Sequence, residues 1–243
     1  MIVWIYGIMM EFSNSQNRVH PYYPAFIDIE NKKVLVAGGG QVARRKIETF
    51  IEFGAKVNVI SIGLCPELEQ LSKNGLINFL GSEFYESYLD GILIVVAATD
   101  DKEFNRRLSI SAKKRGILVN AVDQPEDCSF IVPSIVRRGS LLIAVSTCGK
   151  SPALAKKIRS DIEVLYDDSY SIYLELLGNL RKAILSCGLP QAITFDIFKL
   201  LVNSNILDCI RMKNDDGIIK ILETILPSCL MPKLFWPLEQ ENK

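Results

Sequence analysis

VLVAGGGQVARRK, from Val34 to Lys46, joins an apolar run to a glycine turn and then to a helix-forming segment. The spacing of Gly38, Gly40 and Ala43 fits G-x-G-x-x-A, the turn that opens a parallel α/β nucleotide-binding unit. Gly38 permits the tight turn, Gly40 lets backbone approach a phosphate, and Ala43 lets helix pack closely on strand. The helix start then presents backbone N–H groups to an anion, so the stretch reads as a dinucleotide diphosphate site. Glycine turns also occur in parallel sheets that bind nothing, and the surrounding pattern has to carry the rest.

That pattern continues. Val42, Ile47, Phe50 and Ile51 recur at helical spacing, Gly54 ends the helix, and Lys56 to Ser61 forms a second strand. Where an acid commonly holds the adenosine ribose stands Ser61, followed by Ile62 and Gly63. The ribose would meet a hydroxyl and backbone groups, and with no basic residue to favour a 2′-phosphate the reading leans to NAD. ILIVVAA, Ile92 to Ala98, is apolar throughout, as a central parallel strand covered on both faces must be, and is expected to be the fourth strand. Thr99, Asp100 and Asp101 close it and open a helix to about Arg115, with an aspartate as N-cap. Gly116 stops that helix before a fifth strand, Ile117 to Val122, and Asp123 follows at once. Ligands of open parallel sheets bind beyond the carboxyl ends of the strands, which puts Thr99 and Asp123 on the edge that carries the glycine turn. Each has a plainer reading, Thr99 as a strand-end cap and Asp123 as a turn former before Gln124 and Pro125.

The 243 residues, 49% hydrophobic, suffice for a dinucleotide-binding domain and one smaller unit. Lys and Arg number 28 and Asp and Glu 28, which argues against a nucleic-acid binder relying on a strong global field. Locally, Arg137, Arg138, Lys150, Lys156, Lys157 and Arg159 fall in a stretch without any acid, a candidate anion-facing patch whose bland alternative is a solvated face. Six cysteines (Cys65, Cys128, Cys148, Cys187, Cys209 and Cys229) include no C-x-x-C pair and read as reduced thiols of a cytoplasmic chain. The opening MIVWIYGIMM is apolar, but at about half the length that spans a bilayer and without a basic flank it predicts no membrane segment. Met9 or Met10 is the expected natural start.

Further along, Phe130 to Thr147 reads as two strands joined through Arg138-Gly139-Ser140. A hairpin cannot stand alone in water, so it is expected to pair with the sheet or with another chain. Ser151 and Pro152 begin a helix, SPALAKKIRSDIEVLY, whose start follows Gly149 and Lys150 and offers backbone donors and an ammonium to a carboxylate. Helical patterns then cover Tyr170 to Ser186, Ala192 to Asn203 and Asp216 to Leu226, broken at Gly188-Leu189-Pro190 and Asn214-Asp215. Their apolar stripes read as core.

YPAFIDIENKKVLVAGGGQVARRK, VVAATDD, VNAVDQPEDCSFIVPSIVRRG and LLIAVSTCGKSPALAKKIR stand together in the order and spacing of one family. From about Tyr22 to Tyr166 the chain resembles the precorrin-2 dehydrogenases of siroheme synthesis, the module at the amino end of multifunctional siroheme synthases. Beyond Tyr166 only the helical character agrees. The resemblance implies an α/β fold: a Rossmann-like parallel sheet domain over 22–132, a small β dimerisation segment over 133–166 and a helical domain over 167–243, assembled as a homodimer. It implies oxidation of precorrin-2 to sirohydrochlorin with NAD as acceptor and, in many relatives, insertion of ferrous iron. Gln41, Val42, Ile62 and Gly63 match its cofactor-contacting positions, Asp123 its essential aspartate, and Thr147 a position where some relatives carry a phosphorylated serine.

The residues suit that chemistry. Precorrin-2 is rich in carboxylates, and Arg137, Arg138, Lys150 and Ser151 are the expected substrate-binding groups. NAD takes the hydride, and Asp123 is the expected general base for the proton. The only histidine, His20, precedes the first strand, so no histidine-based metal site is expected and iron would enter as substrate. Two other readings stay open: an NAD-sensing regulatory domain without catalysis, and a dehydrogenase of another small acid. A sensor needs neither Asp123 nor the cations, while fold alone never fixes a substrate.

Overall fold

β1 (Lys33–Ala37), β2 (Lys56–Ile60), β3 (Ile77–Phe79), β4 (Ile92–Ala97) and β5 (Leu118–Ala121) form a wholly parallel sheet in the order β3-β2-β1-β4-β5. The computed structural model describes residues 22–238; the apolar opening with Met9 and Met10, and His20, lie outside the described residues. The chain divides into two compact units, one running to Val132 and the other from Pro133.

Strand alternation decides how the sheet is covered. Val34, Val36, Ile94 and Val96 point to one face and bury Ala43 and Ile47 of α1 (Gln41–Glu52) and Leu68 of α2 (Pro66–Lys73). Leu35, Ala37, Val95, Ala97, Val119 and Ala121 point to the other, against Leu108 and Ala112 of α3 (Lys102–Lys114). With both faces covered, the central strands have no solvent side to keep polar, which is why β4 is apolar end to end. Each fully buried leucine or isoleucine here stabilises the fold by about 1.5–3 kcal/mol. From β1 the chain moves outward to β2 and β3, then returns to β4 on the far side of β1. The order therefore reverses between β1 and β4, the place where open parallel sheets leave a crevice for a ligand.

β5 is an outer strand, and its open side is closed by the chain that follows it. Ser129 N donates to Val119 O (2.8 Å), Val119 N donates to Ser129 Oγ (2.7 Å) and Ala121 N donates to Cys128 Sγ (3.2 Å). These bonds satisfy groups that would otherwise template aggregation.

In the second unit β6 (Ser134–Arg138) and β7 (Leu141–Val145) form a separate antiparallel pair turning at Gly139. The hairpin does not join the parallel sheet. It packs instead on α4 (Pro152–Leu165) and α5 (Ser169–Ser186), the helix cover that a two-stranded ribbon needs. Gly139 touches α5 so closely that a Cβ there would lie 2.3 Å from Ser171 Oγ. α6 (Gln191–Val202), α7 (Ile206–Arg211) and α8 (Asp215–Ile225) complete the unit. Leu176, Leu180 and Ile184 of α5 meet Leu201, Ile206, Ile218 and Leu222 in a core without solvent contact. Tyr173 Oη donates to Leu201 O (3.0 Å) inside it, and burial pushes that phenol above its ordinary pKa. No helix among the described residues is long and apolar enough to cross a membrane.

Candidate nucleotide site and its neighbouring edge

The turn after β1 is closed by sterics that side chains do not allow. Gly38 has φ +129°, and a Cβ on it would sit 2.3 Å from Ala98 O. A Cβ on Gly39 would sit 1.9 Å from Gly63 O and 2.6 Å from Ser61 Oγ. The β1 turn and the β2 turn therefore touch through a glycine, tied further by Cys65 N to Gly39 O (2.8 Å) and Gly38 N to Ile60 O (2.9 Å). Gly40 differs: a Cβ there would meet nothing within 4 Å, and no side chain caps the helix it begins. α3 and α4, by contrast, are capped by Asp101 accepting from Phe104 N and Ser151 accepting from Leu154 N. The first turn of α1 carries no acid. Its exposed N-terminus keeps backbone donors and positive dipole for an anion.

Ser61 Oγ donates to Gly63 O (2.7 Å), which shapes the turn after β2 and leaves the hydroxyl oxygen to accept. Ile62 is almost wholly exposed. Across from this turn, Gln41 Nε2 lies 3.4 Å from both carboxylate oxygens of Glu67, and Gln41 Oε1 accepts from Arg44 Nε (2.8 Å). Arg44 Nη1 also pairs with Glu48 (2.7 Å). Hydrogen bonds from its own backbone N–H and from Gln41 hold the Glu67 carboxyl below its ordinary pKa. Arg44 is thus already committed to acceptors, and the Glu67 carboxylate stands near it, a poor surrounding for a 2′-phosphate.

Thr99 and Asp123 end neighbouring strands at the same edge as the glycine turn, because the sheet is parallel. Thr99 Oγ1 donates to Asn105 Oδ1 (2.7 Å), and Asn105 Nδ2 returns a bond to Thr99 O (2.8 Å). Its side chain fixes the turn into α3. Asp123 has φ +58°, a left-handed conformation rare outside glycine and tolerated best by Asn and Asp. Among the described residues its exposed carboxylate has no hydrogen-bond or ion-pair partner. Neighbouring Gln124 is buried, its Nε2 donating to Lys102 O (3.3 Å) and Asp127 Oδ2 (3.4 Å). The loop is anchored while the aspartate projects from it unpaired.

The cations of the second unit are less free than their sequence suggests. Arg159 pairs with Glu163 (2.5 Å) and Lys157 with Asp161 (2.8 Å), each one helical turn on. Arg138 Nε lies 3.2 Å from Asp168, although no well-aligned hydrogen bond reaches that nitrogen, while Nη1 donates to Arg137 O and Nη2 to Glu163 O. Among the described residues, Lys150 and Lys156 make no ion pair. Thr147 Oγ1 accepts from Ser151 N (3.1 Å), and the Ser151 hydroxyl is the N-cap of α4.

Three groups were not picked out from the sequence. Gly39 could have been, since GGG supplies one glycine more than the motif asks for. Glu67 and Lys46 gave no signal. Lys46 Nζ donates to Asn120 Oδ1 (3.1 Å) across the α1 face, and burial holds its amine below the ordinary lysine pKa. A cleft of about 700 Å³ lies elsewhere, lined by Ser82, Glu83, Glu86, Phe104 and Arg107 among others and by none of the residues named above as cofactor or substrate groups. Its two glutamates suit a diphosphate poorly.

An NAD(P)-binding family model matches residues 25–134, and the model described as sirohaem biosynthesis protein central matches 138–165. Siroheme synthase of Photorhabdus laumondii is 41% identical over 163 residues, covering 67% of this chain and 35% of its own length. Siroheme synthase of Methylobacillus flagellatus is 40% identical over 188 residues, covering 76% and 40%. The chain belongs to the family of the siroheme synthase amino-terminal module. It spans 35–40% of the length of those two synthases. The solved structure of SirC, a precorrin-2 dehydrogenase, superposes with TM-score 0.69 at 27% identity, covering 84% of this chain and 98% of that one.

Within the siroheme synthase module, the two matched segments hold every site residue expected from sequence except Arg137, which falls between them. α5 through α8 lie beyond both family models, but the match to the Methylobacillus synthase, 188 residues long, runs past Tyr166, so resemblance extends further than the sequence motifs alone indicate. No group of three or more His, Cys, Asp or Glu that could hold a metal occurs among the described residues.

Proposed function

We propose that this chain oxidises precorrin-2 to sirohydrochlorin, with NAD as hydride acceptor and Asp123 as the general base. The observation that carries the reading is an uncapped helix start at Gly40 sharing a sheet edge with a left-handed, unpaired aspartate. Gly38 and Gly39 leave no room for side chains, and Gly40 leaves room for a ligand, so the residues present fit a dinucleotide diphosphate. In this reading Gln41 and Val42 meet the diphosphate side, and Ser61, Ile62 and Gly63 the ribose. Thr99 shapes the turn across the switch point. The Glu67 carboxylate and the committed Arg44 favour NAD over NADP.

When bound, NAD supplies a hydride acceptor. The chain's own part is to place and relay a proton. Asp123 Oδ accepts the proton that leaves as the macrocycle gains conjugation, and no internal partner has to be broken first. Arg137, Arg138, Lys150 and Ser151 are the proposed carboxylate-binding groups, with exposed Lys150 carrying most of the charge and Arg138 mainly bracing its hairpin. Iron insertion is a second reading, favoured only by the same unpaired carboxylate, which could take pyrrole protons as ferrous iron enters as substrate.

We further propose a homodimer formed through the segment 133–166, a helical domain over 167–243, and a cytoplasmic setting. The test is anaerobic incubation of the purified chain with precorrin-2 and NAD, following sirohydrochlorin absorbance. NAD-dependent product is expected; its absence rejects the assignment and leaves the dehydrogenase of another small acid or the NAD sensor.

A further inference from the structure

Two cysteines that sequence leaves scattered meet in the helical unit. Cys187 caps the carboxyl end of α5, and Cys229 lies in the turn that follows α8. They are 42 positions apart, yet the Cys229 thiol donates to Cys187 Sγ at 2.8 Å. Both thiols are free, longer apart than the roughly 2.05 Å of a disulfide and already facing each other. Cys229 is exposed and Cys187 half-buried, and neither belongs to the nucleotide edge.

We propose that Cys187 and Cys229 form a reversible intramolecular disulfide by exchange with a low-molecular-weight disulfide. The Cys229 thiolate attacks one sulfur of the small disulfide, forming a mixed disulfide and releasing one small thiol. The Cys187 thiolate then attacks the Cys229 sulfur, the S–S bond to the small molecule breaks, and a second small thiol leaves. Two protein thiols are oxidised, one small disulfide is reduced, and both protons end on the released thiols. The order follows from exposure. The neighbouring Cys229 sulfur also holds the Cys187 thiol above its ordinary pKa.

Closure acts on the segment that follows α8. After Cys229 the backbone runs through the 3-10 turn Pro232–Leu234 to Trp236, which is buried in the helical core and donates from Nε1 to Asp215 Oδ1 (2.8 Å). A bond from Cys229 to the end of α5 ties this segment down at both ends. Because the bridge closes a long loop, it removes much entropy from the unfolded chain. Intracellular bridges of this kind act as redox sensors rather than as permanent staples.

The full chain is incubated with oxidised glutathione at mildly alkaline pH, denatured, alkylated and mapped by mass. Of six thiols, four should remain alkylatable, with Cys187 and Cys229 peptides joined and the chain lighter by about 2 Da. The melting midpoint should rise by about 5–10 °C and fall again with dithiothreitol. Cys187→Ser should instead trap glutathione on Cys229, and Cys229→Ser should block reaction at Cys187. Six free thiols, a stable glutathione adduct on Cys229 of the unsubstituted chain, a bridge using Cys65, Cys128, Cys148 or Cys209, or an unchanged midpoint would each overturn the proposal. None of these readouts involves precorrin-2 or NAD, so they stand apart from the outcome of the activity assay.

Discussion

Adjacent glycines of the β1 turn are expected to fail in opposite ways when alanine replaces them. At Gly39 the new Cβ would lie 1.9 Å from Gly63 O, and the first ordinary contact is at 3.4 Å, so that carbonyl must retreat by about 1.5 Å. The retreat breaks two bonds that hold the turns together, Ser61 Oγ to Gly63 O and Cys65 N to Gly39 O. Each contributes about 0.5–1.5 kcal/mol net. With overpacking strain added, Gly39→Ala should cost about 2–4 kcal/mol of stability. At Gly40 the new methyl enters open space at φ −88°, a conformation alanine adopts freely, and the loss is limited to about 0.5–1 kcal/mol of helix-start preference. The same methyl occupies the position through which a diphosphate would reach the N–H groups of α1. Gly40→Ala should therefore lose NAD affinity at least tenfold, about 1.4 kcal/mol, while remaining folded. Urea denaturation and calorimetric NAD titration separate the two effects. Unaltered NAD affinity in Gly40→Ala refutes the diphosphate reading, and unaltered stability in Gly39→Ala refutes the steric argument.

Asp123→Asn keeps a residue that tolerates left-handed backbone, so stability and NAD binding should hold while precorrin-2 turnover falls about 100-fold or more; retained turnover removes the general-base role. Arg138→Ala should cost about 1–3 kcal/mol in urea denaturation because its guanidinium braces Arg137 O and Glu163 O, whereas Lys150→Ala should leave stability within about 0.5 kcal/mol and raise KM for the tetrapyrrole. Equal destabilisation by both would contradict the division of labour drawn between them. Burial depresses the Lys46 pKa, so between that value and the ordinary one of about 10.4 the unfolded chain binds more protons and stability should rise with pH. Lys46→Met should flatten that alkaline rise in denaturation series run across mildly to strongly basic pH; a persisting rise would assign it to other groups.

The sequence was most legible where one requirement dominated. β1 with its glycine turn, the apolar β4 and the helices buried on one stripe follow from periodicity that packing then enforces. α2 escaped because PELEQLSK shows only Leu68 and Leu71 as apolar positions, and only Leu68 becomes fully buried. β3 has three residues and α7 six, too short to establish a period. The glycine turn is legible because its constraint is backbone sterics, and glycine is nearly the only answer to that. The cation patch is less free than its sequence suggests for a definable reason. Counting acids along the stretch stops at Arg159, but a helix brings Asp161 and Glu163 back onto Lys157 and Arg159, and Asp168 reaches Arg138 from the next element. Cys187 and Cys229 left no trace, since nothing local links positions 42 apart.

Asp123 carries a backbone cost that must be met by its surroundings, since left-handed geometry is unfavourable for residues with a Cβ. Val122 N extends the ladder to Ala97 O (2.9 Å) and fixes the residue before it. Gln124 holds the residue after it through Lys102 O and Asp127 Oδ2. Cys128 and Ser129 then bond back to Ala121 and Val119, along the side where another strand would otherwise pair. The segment that closes the sheet edge is thus the one that forces Asp123 into its conformation. A sixth strand would close the edge equally well but would leave no short return loop to hold an aspartate in left-handed backbone at the carboxyl end of β5. Choosing a thiol and a hydroxyl over a strand therefore ties edge protection to the placement of the proposed base.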